Sequence, residues 1–456
     1  MENLLKTLTG KYNVAVPRYT SYPTMPYWDA NTFSVKSWTD SVKRSFDESN
    51  ETSGISLYIH LPFCESLCTY CGCNTRITRN HSVEEPYIEG VLKEWKLYCS
   101  IFPDVPVIRE LHLGGGTPTF FSAENLHKLI DGLLEDVHIH EKAEFSFEAH
   151  PANTTVGHLQ TLYDLGFRRL SLGIQDFDPK VQFIINRQQT FEQVLDVTLQ
   201  ARRIGYTSVN YDLIYGLPLQ NLEGLINTMN IVSTLKPDRI AFYSYAHVPW
   251  VKPGQRRFTE ADLPDTDLKV KLHEVGRSLL NRYGYQEIGM DHFALPGDEL
   301  LEAARSGGLH RNFMGYTQQH TQLLVGLGVS SISDSWYGFA QNVKTVEEYL
   351  ALTSAGEFAL MKGHLLNDED LLLRRHILDI MCKNKTQWTQ RPESSKVLAG
   401  ALVRLQELED DGLIALSATG LTVTPIGNSF LRNICACLDA RLWAAQPTTQ
   451  LFSMAV

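Results

Sequence analysis

Six times between residues 55 and 283, a short apolar or alternating run is followed by apolar residues at helical spacing, the last of them at 265–283. In the first unit Leu57, Ile59 and Leu61 alternate with other side chains, and residues 86–102 then follow the helical period. Later strands are predicted at residues 108–113, 144–148, 169–174, 208–214 and 239–246, with helices at about 122–137, 155–165, 190–204 and 222–235. Successive strand–helix units are typical of a parallel sheet with helical crossovers. Six are too few for a closed eight-stranded barrel, so we predict an α/β fold with an open (βα)6 three-quarter barrel.

The N-terminal region lacks this pattern. Residues 17–24 (PRYTSYPT) hold two prolines, which favour an extended segment lying on another surface. Arg18 in this segment has the planar fork that binds a carboxylate, although a solvated arm is the simpler interpretation of its composition. We predict an N-terminal arm at residues 1–50.

The C-terminal region also departs from the strand–helix pattern. Residues 285–293 are predicted as a further strand with its loop, and residues 326–333 as a close-packed strand. After about residue 355 the chain predicts helices at 367–383 and 395–411, a hairpin at 413–424 and a helix around 433–437. This order indicates a small, mostly helical, winged-helix-like domain at residues 356–456, which leaves residues 51–355 for the barrel and its extension.

Composition narrows the class of protein. The chain has 456 residues and a net charge of -11, which argues against a nucleic-acid partner because no broad basic surface is expected. No apolar run reaches membrane-spanning length, and residues 1–6 lack the apolar core of a signal peptide. Eight cysteines, four of them within residues 64–73, are typical of a metal site in a reducing compartment. We therefore expect a cytoplasmic protein without a membrane span.

The four clustered cysteines directly follow the first predicted strand. Cys64, Cys68 and Cys71 have the spacing C-x3-C-x2-C, and Cys73 follows two residues later. Soft thiolates on one compact loop suit a [4Fe–4S] cluster, in which three cysteines leave the fourth iron open. The alternatives are a zinc site or buried thiols, but zinc usually requires a second Cys or His pair at matching spacing.

Several predicted strands carry polar or small residues at their carboxyl ends, where active residues of barrel enzymes gather. These candidates are Glu148, Gln175, Asp212, Tyr243 and Ala246. The second strand runs into residues 114–119 (GGGTPT), where glycines allow the backbone to approach a ligand. Glycine clusters also make simple turns, and carboxylates are commonly solvated. The shared edge of the sheet favours a ligand site over these simpler explanations.

The cysteine spacing followed by the triple glycine resembles the radical S-adenosylmethionine (SAM) superfamily, whose fold is the open (βα)6 barrel. Beyond the superfamily, nearly the whole chain is similar to the long form of the oxygen-independent coproporphyrinogen III oxidases. The motifs that carry this resemblance are PRYTSYPT (17–24), HLPFC (60–64), CGCN (71–74), LGGGTPT (113–119), LGIQDF (172–177), DLIYGLP (212–218), GMDHFA (289–294), LHRNF (309–313), GVSSIS (328–333) and RNICAC (432–437). Residues 385–425 match only loosely.

The resemblance implies roles for individual residues. Cys64, Cys68 and Cys71 would ligate the [4Fe–4S] cluster, and Cys73 would be an additional thiol that does not. The positions matching those around the cluster-bound SAM are Tyr58, Gly115, Glu148 and Ile332. The positions matching those around a second SAM are Tyr70, Gly116, Thr117, Gln175, Arg187, Asp212 and Ala246. Tyr58, Glu148 and Arg187 are the expected catalytic residues, although a solvated arginine is the simpler interpretation of Arg187.

The resemblance also implies a reaction. A 5′-deoxyadenosyl radical made from SAM would abstract a hydrogen from the β-carbon of two propionates of coproporphyrinogen III. Each propionate would lose CO2 and become a vinyl group, which gives protoporphyrinogen IX for haem synthesis. The expected partners are this substrate and a low-potential electron donor protein, and we expect a monomer.

Two other functions fit the superfamily. One is a haem-binding chaperone of the related short type, which lacks the fourth cysteine and the segment at 17–24. The other is a two-SAM radical methyltransferase acting on another ring system. The chain departs from the oxidase pattern at Met314 and Gln318, which leaves open the geometry of one loop near the second SAM.

Overall fold

The computed structural model describes residues 2–250, 252–388, 395–445 and 451–455. Six parallel strands lie side by side in chain order: β1 (Ile55–Leu61), β2 (Val107–Gly115), β3 (His138–Ala149), β4 (Arg169–Gln175), β5 (Ser208–Tyr215) and β6 (Arg239–Ser244). Side chains from β2 to β6 line one cavity, so the sheet curves around a lumen. The predicted open α/β barrel is confirmed.

Helices connect these strands as the apolar spacing predicts. They span Glu84–Ile101, Ala123–Leu134, Val156–Asp164, Pro179–Ile184, Phe191–Ile204 and Leu222–Leu235. Ser122 caps the second of them, since its side chain accepts a hydrogen bond from the backbone N–H of Asn125. Leu126, Leu129 and Leu133 of that helix are fully buried against the sheet, which fixes the face it presents.

The sheet is larger than predicted, with twelve strands. The additional elements after β6 are β7 (Gln286–Ile288), β8 (His292–Ala294), β9 (His310–Asn312), β10 (Gly315–Thr317), β11 (Leu324–Leu327), β12 (Ile332–Asp334), β13 (Gly338–Asn342) and β14 (Leu360–Leu365), with helices at Thr266–Arg282, Glu299–Ser306 and Val346–Ser354. Strand β11 pairs parallel to β1, and β12 to β14 continue antiparallel from it. Strands β8 and β7 extend the other edge, and β9 with β10 form a separate hairpin.

The strand with its loop predicted at 285–293 and the strand predicted at 326–333 both differ from the structure because the chain reverses within them. Residues 285–293 form a hairpin that turns at Gly289, and residues 326–333 form a turn between β11 and β12 that includes Gly328. Both glycines have positive φ angles, +56° and +96°, which reverse the chain where an apolar run alone indicates a strand.

The N-terminal region is more ordered than an arm. It contains helices at Glu2–Tyr12 and Val35–Ser53, and residues 13–24 between them have almost no regular secondary structure. Tyr19 and Tyr22 are 2% and 1% exposed and pack in the hydrophobic core formed by the C-terminal helices. The extended segment therefore lies on another surface as predicted, and the solvated alternative is wrong for it.

The C-terminal region has the predicted order of elements plus one strand and one short final helix. It comprises a helix at Asp368–Lys383, β15 (Lys385–Gln387), a helix at Lys396–Asp410, β16 (Ile414–Ser417), β17 (Gly420–Val423) and helices at Leu431–Leu438 and Ala440–Ala445. Strand β15 was not predicted, and it pairs with the hairpin to make a three-stranded sheet. The winged-helix likeness and the domain boundaries remain predictions. Across the residues that the structure describes, no helix has the length and apolarity needed to cross a membrane.

Candidate active site

A cavity of about 430 Å³ lies at the carboxyl ends of the parallel strands. Its wall combines the cysteine loop after β1, the glycine turn after β2, and residues at the ends of β3, β4 and β5. The predicted site residues that line it are Cys64, Cys68, Tyr70, Cys71, Gly115, Gly116, Thr117, Glu148, Gln175, Arg187 and Asp212. Most of the residues predicted from the sequence are therefore brought together in one place.

Three predicted residues, Tyr58, Ala246 and Ile332, are absent from the described wall of this cavity. Ala246 lies just behind it, since the side-chain amide of Gln255 donates to the backbone carbonyls of both Ala246 and Tyr70. Tyr58 lies within β1, and Ile332 begins β12, two strands away. Their predicted contacts with SAM remain predictions.

The cysteine loop carries the donor set expected for a cluster. All four cysteines of the loop are free thiols that line the cavity; Cys64, Cys68 and Cys71 are partly buried and Cys73 is exposed. The Cys64 sulfur lies 3.4 Å from the hydroxyl of Thr117, which ties the loop to the glycine turn. Among the described residues no group of three His, Cys, Asp or Glu is arranged to hold a single metal ion. A cubane does not require such convergence, because each thiolate binds a different iron.

Glu148 is held at the end of β3 by two neighbours. The backbone N–H of Gly115 donates to its Oε2 at 3.2 Å, and His112 Nε2 lies 3.6 Å from its Oε1. Burial alone would raise the pKa of Glu148, but these two groups outweigh it and hold the pKa below its ordinary value. Glu148 is therefore an anion at neutral pH and faces the cavity as one.

Asp212 lies within β5, toward its carboxyl end, and has a different environment. Its carboxylate accepts hydrogen bonds from the hydroxyl of Ser171 at 3.0 Å and the amide of Asn210 at 2.9 Å. Burial and the negative charge of Glu148 raise the pKa of Asp212 to about 6. Asp212 thus exchanges its proton close to neutral pH, and a cationic ligand in the cavity would favour its ionised form.

At the glycine turn, backbone atoms of residues without side chains form part of the cavity wall. Gly115 has a φ of +115°, and a Cβ there would lie 2.7 Å from the ring of His60. A Cβ on Gly116 would lie 2.7 Å from the carbonyl group of Pro62. A side chain at either position would displace its neighbours, so the sequence GGG is required by close packing as well as by access to a ligand.

Arg187 lies in the cavity wall, which excludes the interpretation as a solvated arginine. Its Nε and Nη2 donate to the carbonyl oxygen of Gly173 at 3.0 and 2.5 Å, and its Nη1 lies 3.6 Å from the sulfur of Cys68. Among the described residues no carboxylate forms an ion pair with it. The guanidinium charge therefore faces the thiols and the cavity.

Sequence reasoning missed a polar lumen beneath the cavity. This second space, of about 210 Å³, is lined mainly by every second residue of five strands. They include Glu110, His112, Ser146, Glu148, Arg169, Ser171, Ser208, Asn210, Asp212, Arg239 and Tyr243. The period-two alternation of polar with apolar residues along β2 to β5 was the available signal. His112 donates to or accepts from Ser146 at 2.8 Å, so this layer supports the carboxylates above it.

Comparison with known proteins agrees with this geometry. The model of the radical SAM superfamily matches residues 58–232. The oxygen-independent coproporphyrinogen III oxidases of Salmonella typhimurium and Escherichia coli are each 38% identical over 440 residues, covering 95% of this chain and 95% of theirs. The Synechocystis enzyme is 38% identical over 98% of this chain and 97% of its own.

A solved structure extends the comparison to the fold. The coproporphyrinogen III oxidase of Escherichia coli, described as a radical SAM enzyme, superimposes with a TM-score of 0.87 at 37% identity. The match covers 93% of this chain and 97% of that one. The chain thus belongs to the family of oxygen-independent coproporphyrinogen III oxidases, within the radical SAM superfamily.

Proposed function

We propose that this protein converts two propionate side chains of coproporphyrinogen III to vinyl groups without oxygen and yields protoporphyrinogen IX. The observation that carries the proposal is the convergence of three cysteine thiols, Glu148 and Asp212 on one cavity, in a chain similar to these oxidases along nearly its whole length. The short-type chaperone is disfavoured because Cys73 and the segment at 17–24 are both present.

Cys64, Cys68 and Cys71 are the residues proposed to hold the [4Fe–4S] cluster. Their soft thiolates fit iron, and their number leaves one iron for SAM. When bound, the cluster and SAM would supply one-electron cleavage of SAM and hence the radical that abstracts hydrogen. The substrate radical would then lose CO2 and give one electron to an acceptor, which completes the vinyl group. The protein positions these groups and shields them from water.

The residues around the cavity are proposed to bind SAM in two places. Tyr58, Gly115, Glu148 and Ile332 are assigned to the cluster-bound molecule, and Tyr70, Gly116, Thr117, Gln175, Arg187, Asp212 and Ala246 to a second. Two anionic carboxylates suit the sulfonium cation and ribose hydroxyls of SAM. The positive charge of Arg187 suits a carboxylate entering the cavity. We assign catalytic roles to Tyr58, Glu148 and Arg187.

Further proposals concern the setting of the enzyme. We infer a monomer that receives electrons from a low-potential donor protein. We place it in the cytoplasm, because its eight cysteines are all free thiols. We also propose the division into an N-terminal region (1–50), a barrel with its extension (51–355) and a C-terminal domain (356–456).

Anaerobic turnover of the reconstituted protein with coproporphyrinogen III, SAM and a reductant tests the function. The expected products are protoporphyrinogen IX, CO2, methionine and 5′-deoxyadenosine, with two SAM molecules consumed per tetrapyrrole. Haem binding without decarboxylation would support a chaperone instead. Transfer of the SAM methyl group to an acceptor would support a methyltransferase.

A further inference from the structure

Tyr243 is a cavity residue to which neither the motif resemblance nor the proposed SAM sites assign a role. It lies near the carboxyl end of β6 and lines both the active-site cavity and the polar lumen. Its hydroxyl oxygen is 3.2 Å from Nε2 of His292 on β8, and the two rings meet edge to face. The contact joins residues from adjacent antiparallel strands, so both side chains are fixed by the sheet.

The contact made by the other ring nitrogen of His292 determines the direction of this hydrogen bond. His292 Nδ1 lies 2.8 Å from the backbone carbonyl oxygen of Met290. A carbonyl only accepts, so Nδ1 carries the proton. Burial lowers the pKa of His292 to about 4, so the ring is neutral and its Nε2 is an acceptor. The hydroxyl of Tyr243 therefore donates to His292.

This arrangement makes Tyr243 an acceptor toward the cavity. Its only proton is directed at His292, so the remaining lone pairs of its oxygen are what a ligand meets. Asp212, at the end of the adjacent strand, adds a second acceptor to the same wall. A ligand that satisfies this part of the wall donates hydrogen bonds through N–H or O–H groups.

The proposed reaction supplies donors of two origins. SAM carries an α-amino group, the adenine amino group and two ribose hydroxyls, and the porphyrinogen macrocycle carries four pyrrole N–H groups. Strand β6 is four strands away from β2, whose glycine turn is assigned in part to the cluster-bound SAM. Asp212 on the adjacent strand is assigned to the second SAM, so SAM affinity has to be measured alongside porphyrinogen binding. The pyrrole N–H groups converge toward the centre of the macrocycle and can meet the neighbouring acceptors Tyr243 and Asp212 together, which favours the macrocycle.

We propose that Tyr243, oriented by His292, binds the substrate by accepting a hydrogen bond from a pyrrole N–H of the porphyrinogen ring. His292 is a positioning residue that acts through Tyr243. The inference rests on the proposed function, because it takes the porphyrinogen as the substrate.

The test compares Tyr243→Phe with Tyr245→Phe. Tyr245 also has a hydroxyl bonded to a histidine, at 3.1 Å from Nδ1 of His247, but it is absent from the described wall of the cavity. Anaerobic titration with coproporphyrinogen III, followed by protein fluorescence, gives the dissociation constant. Tyr243→Phe is expected to weaken binding about tenfold, the equivalent of one hydrogen bond, whereas Tyr245→Phe leaves it unchanged. In turnover, KM for the porphyrinogen rises while kcat and SAM affinity stay near wild type.

His292→Phe tests the positioning role. It frees the Tyr243 hydroxyl to turn, so it should weaken porphyrinogen binding, and the double variant should be no worse than Tyr243→Phe alone. Wild-type porphyrinogen binding by Tyr243→Phe, or a loss of SAM affinity instead, would overturn the inference and leave the proposed function standing. A wild-type protein that binds no porphyrinogen would overturn both.

Discussion

The guanidinium of Arg187 lies 3.6 Å from the sulfur of Cys68, although the two residues are 119 positions apart. Neighbouring contacts strengthen this connection. Thr69 donates its backbone N–H to the carbonyl of Ile185 at 2.9 Å, and the Asn186 amide donates to the carbonyl of Leu67 at 2.7 Å. The segment after β4 therefore holds the cysteine loop in place and brings a positive charge to it.

Replacing Arg187 should disable the site without removing the cysteines. We expect Arg187→Ala to cost on the order of 2–5 kcal/mol of binding or activation, because it removes a charge from a partly buried hydrogen-bonded position. Arg187→Lys should rescue only partly, since an ammonium lacks the fork that spans the Gly173 carbonyl and Cys68. Anaerobic SAM cleavage and SAM binding measure the effect. The exposed Arg203→Ala is the control, and wild-type values for Arg187→Ala in both assays would contradict the expectation.

Three of the four clustered cysteines should bind the cluster, and the fourth should not. Serine at Cys64, Cys68 or Cys71 is expected to abolish the absorbance of the reconstituted cluster, because each removes one thiolate ligand. Cys73 is exposed, and Cys73→Ser should keep iron and sulfide near wild type. Iron analysis after anaerobic reconstitution decides the point. Loss of iron in Cys73→Ser would show that the ligand assignment is wrong.

Glu94 should give the stability of the protein a specific pH dependence. Its carboxylate is buried and accepts hydrogen bonds from Gly328 N–H, the Tyr349 hydroxyl and the Asn342 amide. Burial outweighs these bonds and raises the pKa of Glu94 from its ordinary 4.5 to about 7. The folded protein thus holds this proton more tightly than the unfolded chain. The resulting stabilisation is complete below about pH 4.5 and is lost as pH rises through about 7.

Urea unfolding between pH 5 and 8 measures this contribution. The wild-type free energy of unfolding should fall relative to Glu94→Gln across that range, by on the order of 3 kcal/mol, at about 1.4 kcal/mol for each pKa unit. The two proteins are compared by how steeply the free energy of unfolding changes with pH, because the glutamine also alters the hydrogen bonds. Parallel curves for the two proteins would refute the assignment to Glu94.

Arg432 should be essential for docking the N-terminal segment. Its guanidinium donates to the carbonyls of Val16 and Pro17 and to those of residues 453–455. Removing it leaves buried carbonyls without donors, so Arg432→Leu should destabilise the protein by about 3 kcal/mol or more. Denaturant unfolding checks this, with limited proteolysis to locate cleavage near residues 13–24. A variant as stable and as resistant as wild type would show that the contacts contribute little.

The sequence predicted those parts of the fold that depend on interactions between residues close together in the chain. The six parallel strands and the cysteine loop follow local patterns, so period and spacing located them. Strands β7, β8 and β12 are three residues long, too short for a period to appear, and positive φ angles at Gly289 and Gly328 divide the apolar runs. Local pattern therefore misplaced the edges of the sheet.

The residues of the active site show the same difference between local and long-range features. Glu148 and Asp212 were identified because they end strands, a property of sequence position. The partner of Arg187 is a backbone carbonyl, and the partner of Tyr243 is His292, 49 residues away. Such contacts depend on the folded arrangement of strands, and no local pattern records them.

The central step of the proposed reaction is hydrogen abstraction from the propionate β-carbon of coproporphyrinogen III. The most direct test is anaerobic turnover of substrate carrying deuterium at the propionate β-carbons, with mass analysis of the 5′-deoxyadenosine. We predict that one deuterium per molecule appears in the 5′-deoxyadenosine as vinyl product forms. Vinyl product with unlabelled 5′-deoxyadenosine, or a methylated tetrapyrrole with the deuterium retained, would contradict the claim.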